Sequence, residues 1–210
     1  MSAVSKRRMI RFACIVLAGF ALPAGSEVAR AAEPQSPDQL IRALRPPVRA
    51  TRGLTISPAD ATRNAEDARF VDTLRKRTTR SLTTEERDKI TSIAQKKPSV
   101  DLEINFEYNS DRLSAKAMPQ VSALGEALSS ADLKGSTFIV AGHTDGKGGD
   151  TFNQGLSERR ADALKRYLMD RYKIDDGRLV TVGYGKTQLK NPSNPTAAEN
   201  RRVQVINVAN

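Results

Sequence analysis

The chain has 210 residues, a formal net charge of +10, six Phe, four Tyr and no Trp. That length accommodates one domain of ordinary size plus an added segment, and the sparse aromatic content excludes a large aromatic core. The charge is unevenly placed: residues 98–210 carry 15 Lys/Arg against 14 Asp/Glu, residues 32–97 carry 14 against 9, and residues 1–31 carry 5 against 1. The cationic excess thus lies ahead of the part that patterns as folded, so the basic balance is no argument for nucleic-acid binding.

In chain order, residues 1–31 have the layout of a secretory signal peptide. Lys6-Arg7-Arg8 and Arg11 form a positive start, Phe12 to Ala24 an apolar stretch, and Ala29-Arg30-Ala31 a small-residue cleavage site, which predicts cleavage after Ala31. The apolar stretch falls short of the ~20 residues of a transmembrane helix. Cys14, the single cysteine, lies inside this segment ahead of its apolar part, so lipidation is not expected and the exported chain has no disulfide or thiolate chemistry.

Residues 32–97 read as a basic linker with short helices. Its first half, with Pro34, Pro37, Pro46, Pro47 and Pro58, has the polar, proline-broken composition of a flexible tether. Further on, Phe70, Val71 and Leu74 share helical spacing. Thr83 with Glu86 forms a capping-box signature ahead of Ile90 and Ile93, which predicts a helix start. These helices either dock on the following domain or sit within the linker.

Residues 98–210 pattern as the folded unit. Val100, Leu102, Ile104 and Phe106 alternate with polar residues, the period of a half-buried strand. Met118, Val121, Leu124 and Leu128 mark a helix over 114–130, with Pro119 either in its first turn or kinking it. Residues 137–141 form an apolar run suited to a central strand buried on both faces. A second helix follows over 152–172, with Leu156, Ala161, Leu164 and Leu168 inward, and strands are predicted at 179–184 and 201–208. The order β-α-β-α-β-β predicts an α+β fold, a two-layer sandwich with both helices on one face of a mixed sheet.

The chemistry-bearing residues concentrate at 142–160. His143 is the only histidine, so with no cysteine in the exported chain a zinc site is not expected. His143 beside Asp145 is read as a structural histidine hydrogen-bonded at a strand end; orienting Ser157 as a nucleophile is the alternative. Gly183-Tyr184-Gly185-Lys186-Thr187 ends like a phosphate loop, but Val180 stands where that motif needs its first glycine. Asp145 lies in a glycine-rich loop and Arg160 on the helix after it, leaning back toward the helix start. An acid and a guanidinium so placed can hold the ammonium and the carboxylate of one ligand. They can equally pair with each other.

Five separated motifs bear on that choice: Phe106-Glu107-Tyr108-Asn109-Ser110, Gly142-His143-Thr144-Asp145, Asn153 to Ala161, Gly183-Tyr184-Gly185 and Asn200-Arg201-Arg202-Val203. In order and spacing they resemble the OmpA-like C-terminal domain, the peptidoglycan-binding module of outer membrane protein A and related lipoproteins, over about residues 98–210. The resemblance implies non-covalent binding of the diaminopimelate in the peptidoglycan stem peptide, with Asp145 receiving its amine and Arg160 its carboxylate. It places Asn109, Thr144 and Asn153 along the pocket and gives Arg202 a flanking contact. Ala197-Ala198-Glu199 departs from the Gly-Arg pair common in relatives.

The expectation is a non-enzymatic protein of the periplasm, wall-bound and in reach of the outer membrane, that tethers itself to peptidoglycan for envelope integrity. Neither a metal nor a cofactor is expected, nor nucleic acid as a partner. Residues 32–97 are the candidate contact for an outer-membrane or periplasmic protein partner. Two alternatives stand: an assembly protein merely localised by the wall, and a wall hydrolase using His143, Asp145 and Ser157.

Overall fold

The computed structural model describes residues 35–46, 58–75, 77, 82–107 and 109–208, without the side chains of 58–61. The signal segment and its cleavage site lie outside the described residues. The described residues form five α-helices and four strands: α1 (Pro37–Leu44), α2 (Pro58–Leu74), α3 (Thr84–Ala94), β1 (Ser99–Leu102), α4 (Met118–Ser129), β2 (Phe138–His143), α5 (Asp150–Tyr172), β3 (Leu179–Gly185) and β4 (Val203–Asn207).

The strands form one mixed sheet in the order β1-β4-β2-β3. β4 runs antiparallel to both β1 and β2, and β2 runs parallel to β3. Every residue of β2 is buried, as its continuous apolar run requires of an internal strand. β1 is shorter than its alternating sequence suggests. Its ladder ends at Leu102, opposite Val203 where β4 begins, so the following residues have no strand to pair with. The chain leaves the sheet there, and only an isolated bridge, Phe106 to Leu113, closes the next turn.

One face of the sheet packs against α4 and α5 through Leu102, Phe138, Val140, Leu179, Val203 and Val205. Pro119 lies in the first turn of α4, where its missing N–H costs no helical bond. The other face presents Ile139, Ala141, Val180, Val182, Tyr184 and Ile206 to Val71, Leu74, Leu82, Ile90 and Ile93 from α2, α3 and the chain between them. The α2–α3 region is therefore docked. The Thr83–Glu86 capping box forms as the sequence predicts.

Residues 37–44 depart from the tether reading. Ser36 and Gln39 make a capping box and Pro37 occupies the first turn, a position where proline favours a helix. Leu40 and Leu44, one turn apart, are fully buried in the α4–α5 core. Asn207 Nδ2 donates to the Leu44 carbonyl at 2.8 Å, and Gln35 N donates to Gln120 Oε1 at 2.8 Å. Two buried leucines and two polar contacts, one of them buried, outweigh the proline-rich composition around them.

Candidate functional site

The site forms at the end of the sheet where β2 and β3 finish and β4 starts. Two glycines let α5 lie directly on these strands. A Cβ at Gly142 would stand 2.3 Å from the Ser157 carbonyl oxygen, and one at Gly183 would stand 2.5 Å from Glu158 Cγ; neither is a distance that real atoms tolerate. The loop between β2 and α5 is pinned by the 191–200 segment, by its own Asp145 and by α5. Gly146 N donates to the Pro195 carbonyl at 2.7 Å, Lys147 N to Asp145 Oδ1 at 3.1 Å, and Asn153 Nδ2 to the Lys147 carbonyl at 2.7 Å.

Asp145 and Arg160 do not pair directly. Asp145 Oδ2 instead accepts from Arg201 at 2.8 Å. Arg160 is half-buried, with its guanidinium over the Phe106 ring at 4.9 Å and its Nε donating to the Ser110 carbonyl at 3.1 Å. Its terminal nitrogens have no protein partner among the described residues. Burial pulls the Arg160 pKa below its ordinary value, with Arg201 and Arg159 adding to the effect, while Asp145 and Asp111 oppose it. Arginine nevertheless stays a cation.

A cleft of about 40 Å³ is lined by Phe106, Arg160, Arg201, Arg202, His143 and neighbouring backbone. One trapped water needs roughly 10–15 Å³, so this cavity fits a group the size of a carboxylate, not a sugar ring. Three arginines contribute to its wall, which gives it a cationic character.

The other sequence candidates take different places. Arg202 lines the cleft but its guanidinium is held from the rear. Its Nε contacts Asp101 Oδ1 at 3.3 Å, and its terminal nitrogens each stand 3.3 Å from the Gln188 carbonyl. Asn109 is exposed at the tip of the turn that presents Ser110 to Arg160, with φ of 50°, a left-handed conformation asparagine accepts. Thr144 is buried, its backbone N–H donating to the Gly185 carbonyl at 2.8 Å, and its hydroxyl has no partner among the described residues. Asn153 is buried and braces the loop through Lys147. The cleft thus joins Arg160 and Arg202, with Asp145 at its rim through Arg201. Asn109, Thr144 and Asn153 surround it without lining it.

His143 is structural in placement, and neither buried ring nitrogen has a partner of good hydrogen-bond geometry among the described residues, with the Gln188 carbonyl close enough only to bias the ring. The imidazole instead stacks on Tyr184, with ring centroids 5.3 Å apart. Burial, reinforced by Arg202, lowers its pKa from 6.5 to about 3, against weaker opposition from Asp101 and the Gln188 carbonyl. It is a neutral ring at any ordinary pH. Ser157 is fully buried; its hydroxyl donates to the Gln154 carbonyl and accepts from Gly185 N, each at 2.8 Å. A hydroxyl so engaged is not poised for nucleophilic attack.

Sequence reasoning missed Arg201 and Phe106 as parts of the site. Strand alternation was the available signal for Arg201, because neighbours at a strand start point to opposite sides. Arg202 takes the rear, which leaves Arg201 for the rim. Nothing in the sequence marked Phe106 as a shelf for a guanidinium.

A four-stranded mixed sheet with α4 and α5 on one face has an arginine-lined cleft at its end. Residues 105–202 are an OmpA-family domain, matching the sequence model of that family. The chain is 33% identical over 107 residues to outer membrane porin F of Pseudomonas aeruginosa, covering 50% of this chain and 30% of that protein. It is 35% identical over 103 residues to the peptidoglycan-associated lipoprotein of Legionella pneumophila, covering 48% and 57% respectively. The OmpA-like domain of FopA1 from Francisella tularensis aligns at a TM-score of 0.44 with 26% identity, over 51% of this chain and 70% of that one. The chain therefore spans less than two thirds of these curated relatives. Among the described residues no helix is long and apolar enough to cross a membrane.

Proposed function

We propose that this protein binds peptidoglycan non-covalently, as a cell-wall anchor of the bacterial envelope, by receiving one diaminopimelate of the stem peptide at the Asp145/Arg160 cleft. The carrying observation is the state of Arg160: a half-buried guanidinium, fixed by Phe106 and Ser110, whose terminal nitrogens have no protein partner among the described residues. A guanidinium held rigid with its fork open is preorganised for a carboxylate. Asp145, whose present partner Arg201 is half-exposed, supplies the negative charge for the ligand's ammonium at the rim. The OmpA-family match at 105–202 and the similarity to a peptidoglycan-associated lipoprotein support the same reading. The relatives' names place them at the outer membrane or on peptidoglycan, which favours a periplasmic, wall-bound location.

A hydrolase reading loses its footing in the engaged Ser157 hydroxyl and the solitary His143. The test is co-sedimentation with purified peptidoglycan sacculi. Arg160→Ala should reduce binding on the order of tenfold or more, the cost of a charge-assisted contact at ~1.5–3 kcal/mol, with an unchanged circular dichroism spectrum. Full retention by a folded Arg160→Ala variant would refute the assignment.

A further inference from the structure

We propose that Thr91, on helix α3 and outside the family-matching segment, is a positioning residue for the ligand cleft. This inference rests on the cleft being the ligand site. The Thr91 hydroxyl is a node. It donates to the Arg87 carbonyl at 2.9 Å, shares a hydrogen bond with the Tyr184 phenol at 3.0 Å, and accepts from Gln188 Nε2 at 2.8 Å.

Two arms run from that node to the cleft. In the first, the Tyr184 phenol is also within 3.2 Å of the Arg87 carbonyl, and the Tyr184 ring stacks on His143, which lines the cleft. In the second, Gln188 is held by its side chain to Thr91, and its carbonyl receives both terminal nitrogens of Arg202, which also lines the cleft. Arg202 is further fixed by Asp101, whose other oxygen pairs with Lys190 at 3.1 Å. One hydroxyl thus sets the position of two residues on the cleft wall from the opposite face of the sheet.

The physical basis is that neither ring nitrogen of the buried imidazole has a well-formed hydrogen bond among the described residues, so its stacking on Tyr184 and the nearby Gln188 carbonyl set its orientation, and Thr91 holds both. A break in the register between β2 and β3 at Gly142/His143 sets Tyr184 apart from the regular ladder, so its ring depends on α3 for its place. Loss of the Thr91 hydroxyl removes the side-chain anchor of Gln188 and one of the two phenol contacts of Tyr184, which keeps only the Arg87 carbonyl, while leaving a side chain of the same shape in α3. Interactions carried through a connected polar network are felt at its far end.

The experiment uses the full chain and two probes, peptidoglycan sacculi and free meso-diaminopimelate. Thr91→Val should weaken binding of both roughly three- to tenfold, the scale of one lost hydrogen bond. It should also move the imidazole ¹⁵N resonances of His143, which are unambiguous because the chain has one histidine. Thr91→Ser restores the hydroxyl and should return both affinity and resonances to the parent values. A folded Thr91→Val variant that binds as the parent does would overturn the inference alone, as would equal weakening in Thr91→Ser. If the parent binds neither probe while remaining folded, the ligand assignment fails and this inference falls with it.

Discussion

The two faces of the sheet have different origins. The α4–α5 face is covered by elements inside the family-matching segment, and its helices are plain in the sequence. The opposite face is covered by α2 and α3, which precede that segment. The core on the first face also includes Leu40 and Leu44 from α1. The difference teaches that the folding unit begins well before the family domain does. The upstream region is no mere spacer: it completes one core and supplies most of the cover of the other.

Removing residues 35–97 has the largest expected effect. It strips away Leu40, Leu44, Val71, Leu74, Leu82, Ile90 and Ile93, all buried, each contributing roughly 1.5–3 kcal/mol. A domain's whole stability is only about 5–15 kcal/mol, so the truncated chain should lose its cooperative melting transition. An unchanged transition would show that the upstream helices are dispensable.

Single substitutions compare the two faces directly. Leu40→Ala and Ile90→Ala each remove a fully buried side chain, and each should cost ~2–5 kcal/mol in urea unfolding. If α1 and α3 are integral to the fold the two costs are similar. A near-zero cost at either site would identify a helix that only rests on the surface.

The rear face also carries an acid-sensitive group. His143 has a folded-state pKa of about 3 against an ordinary 6.5, so the unfolded chain takes up its proton first. The stability held by the neutral ring is complete above about pH 6.5 and is lost as pH falls toward 3, by at most ~1.4 kcal/mol per pH unit. Urea unfolding at pH 7, 5.5 and 4.5 should show this slope in the parent chain. His143→Phe, which keeps a ring to stack on Tyr184, should flatten it; an identical slope in both would remove His143 from the account.

The smallest effect belongs to the rim. Arg201 is half-exposed where it meets Asp145, and exposed ion pairs contribute about 0–1 kcal/mol. Arg201→Ala should therefore leave the melting temperature almost unchanged. A large loss would make Asp145 a structural anchor and not a ligand group.

Much of this architecture was legible from local pattern. The alternation at 100–106, the apolar run at 137–141 and the helical stripes of α4 and α5 each encode burial within a few residues, where periodicity reports it. What escaped depends on distant partners. α1 was hidden because prolines at 37, 46 and 47 bracket only two buried leucines, and only the groove beside α4 gives those leucines a place. β1 stops early because β4 begins at Val203, a limit set about a hundred residues away. At the site, the Asp145 and Arg160 positions were legible through motif resemblance. The Asp145–Arg201 pair and the Phe106 shelf arise from segments brought together only by the sheet, and a stacked, unbonded His143 follows from α3 docking behind it.

The central claim is that the Asp145/Arg160 cleft holds both charges of a diaminopimelate. The most direct measurement is competition: full-length protein bound to sacculi, challenged with free meso-diaminopimelate or with lysine, which lacks the second amino-acid head. Release by diaminopimelate and retention against lysine is the predicted result. Equal release by the two, or continued retention in saturating diaminopimelate, would contradict it.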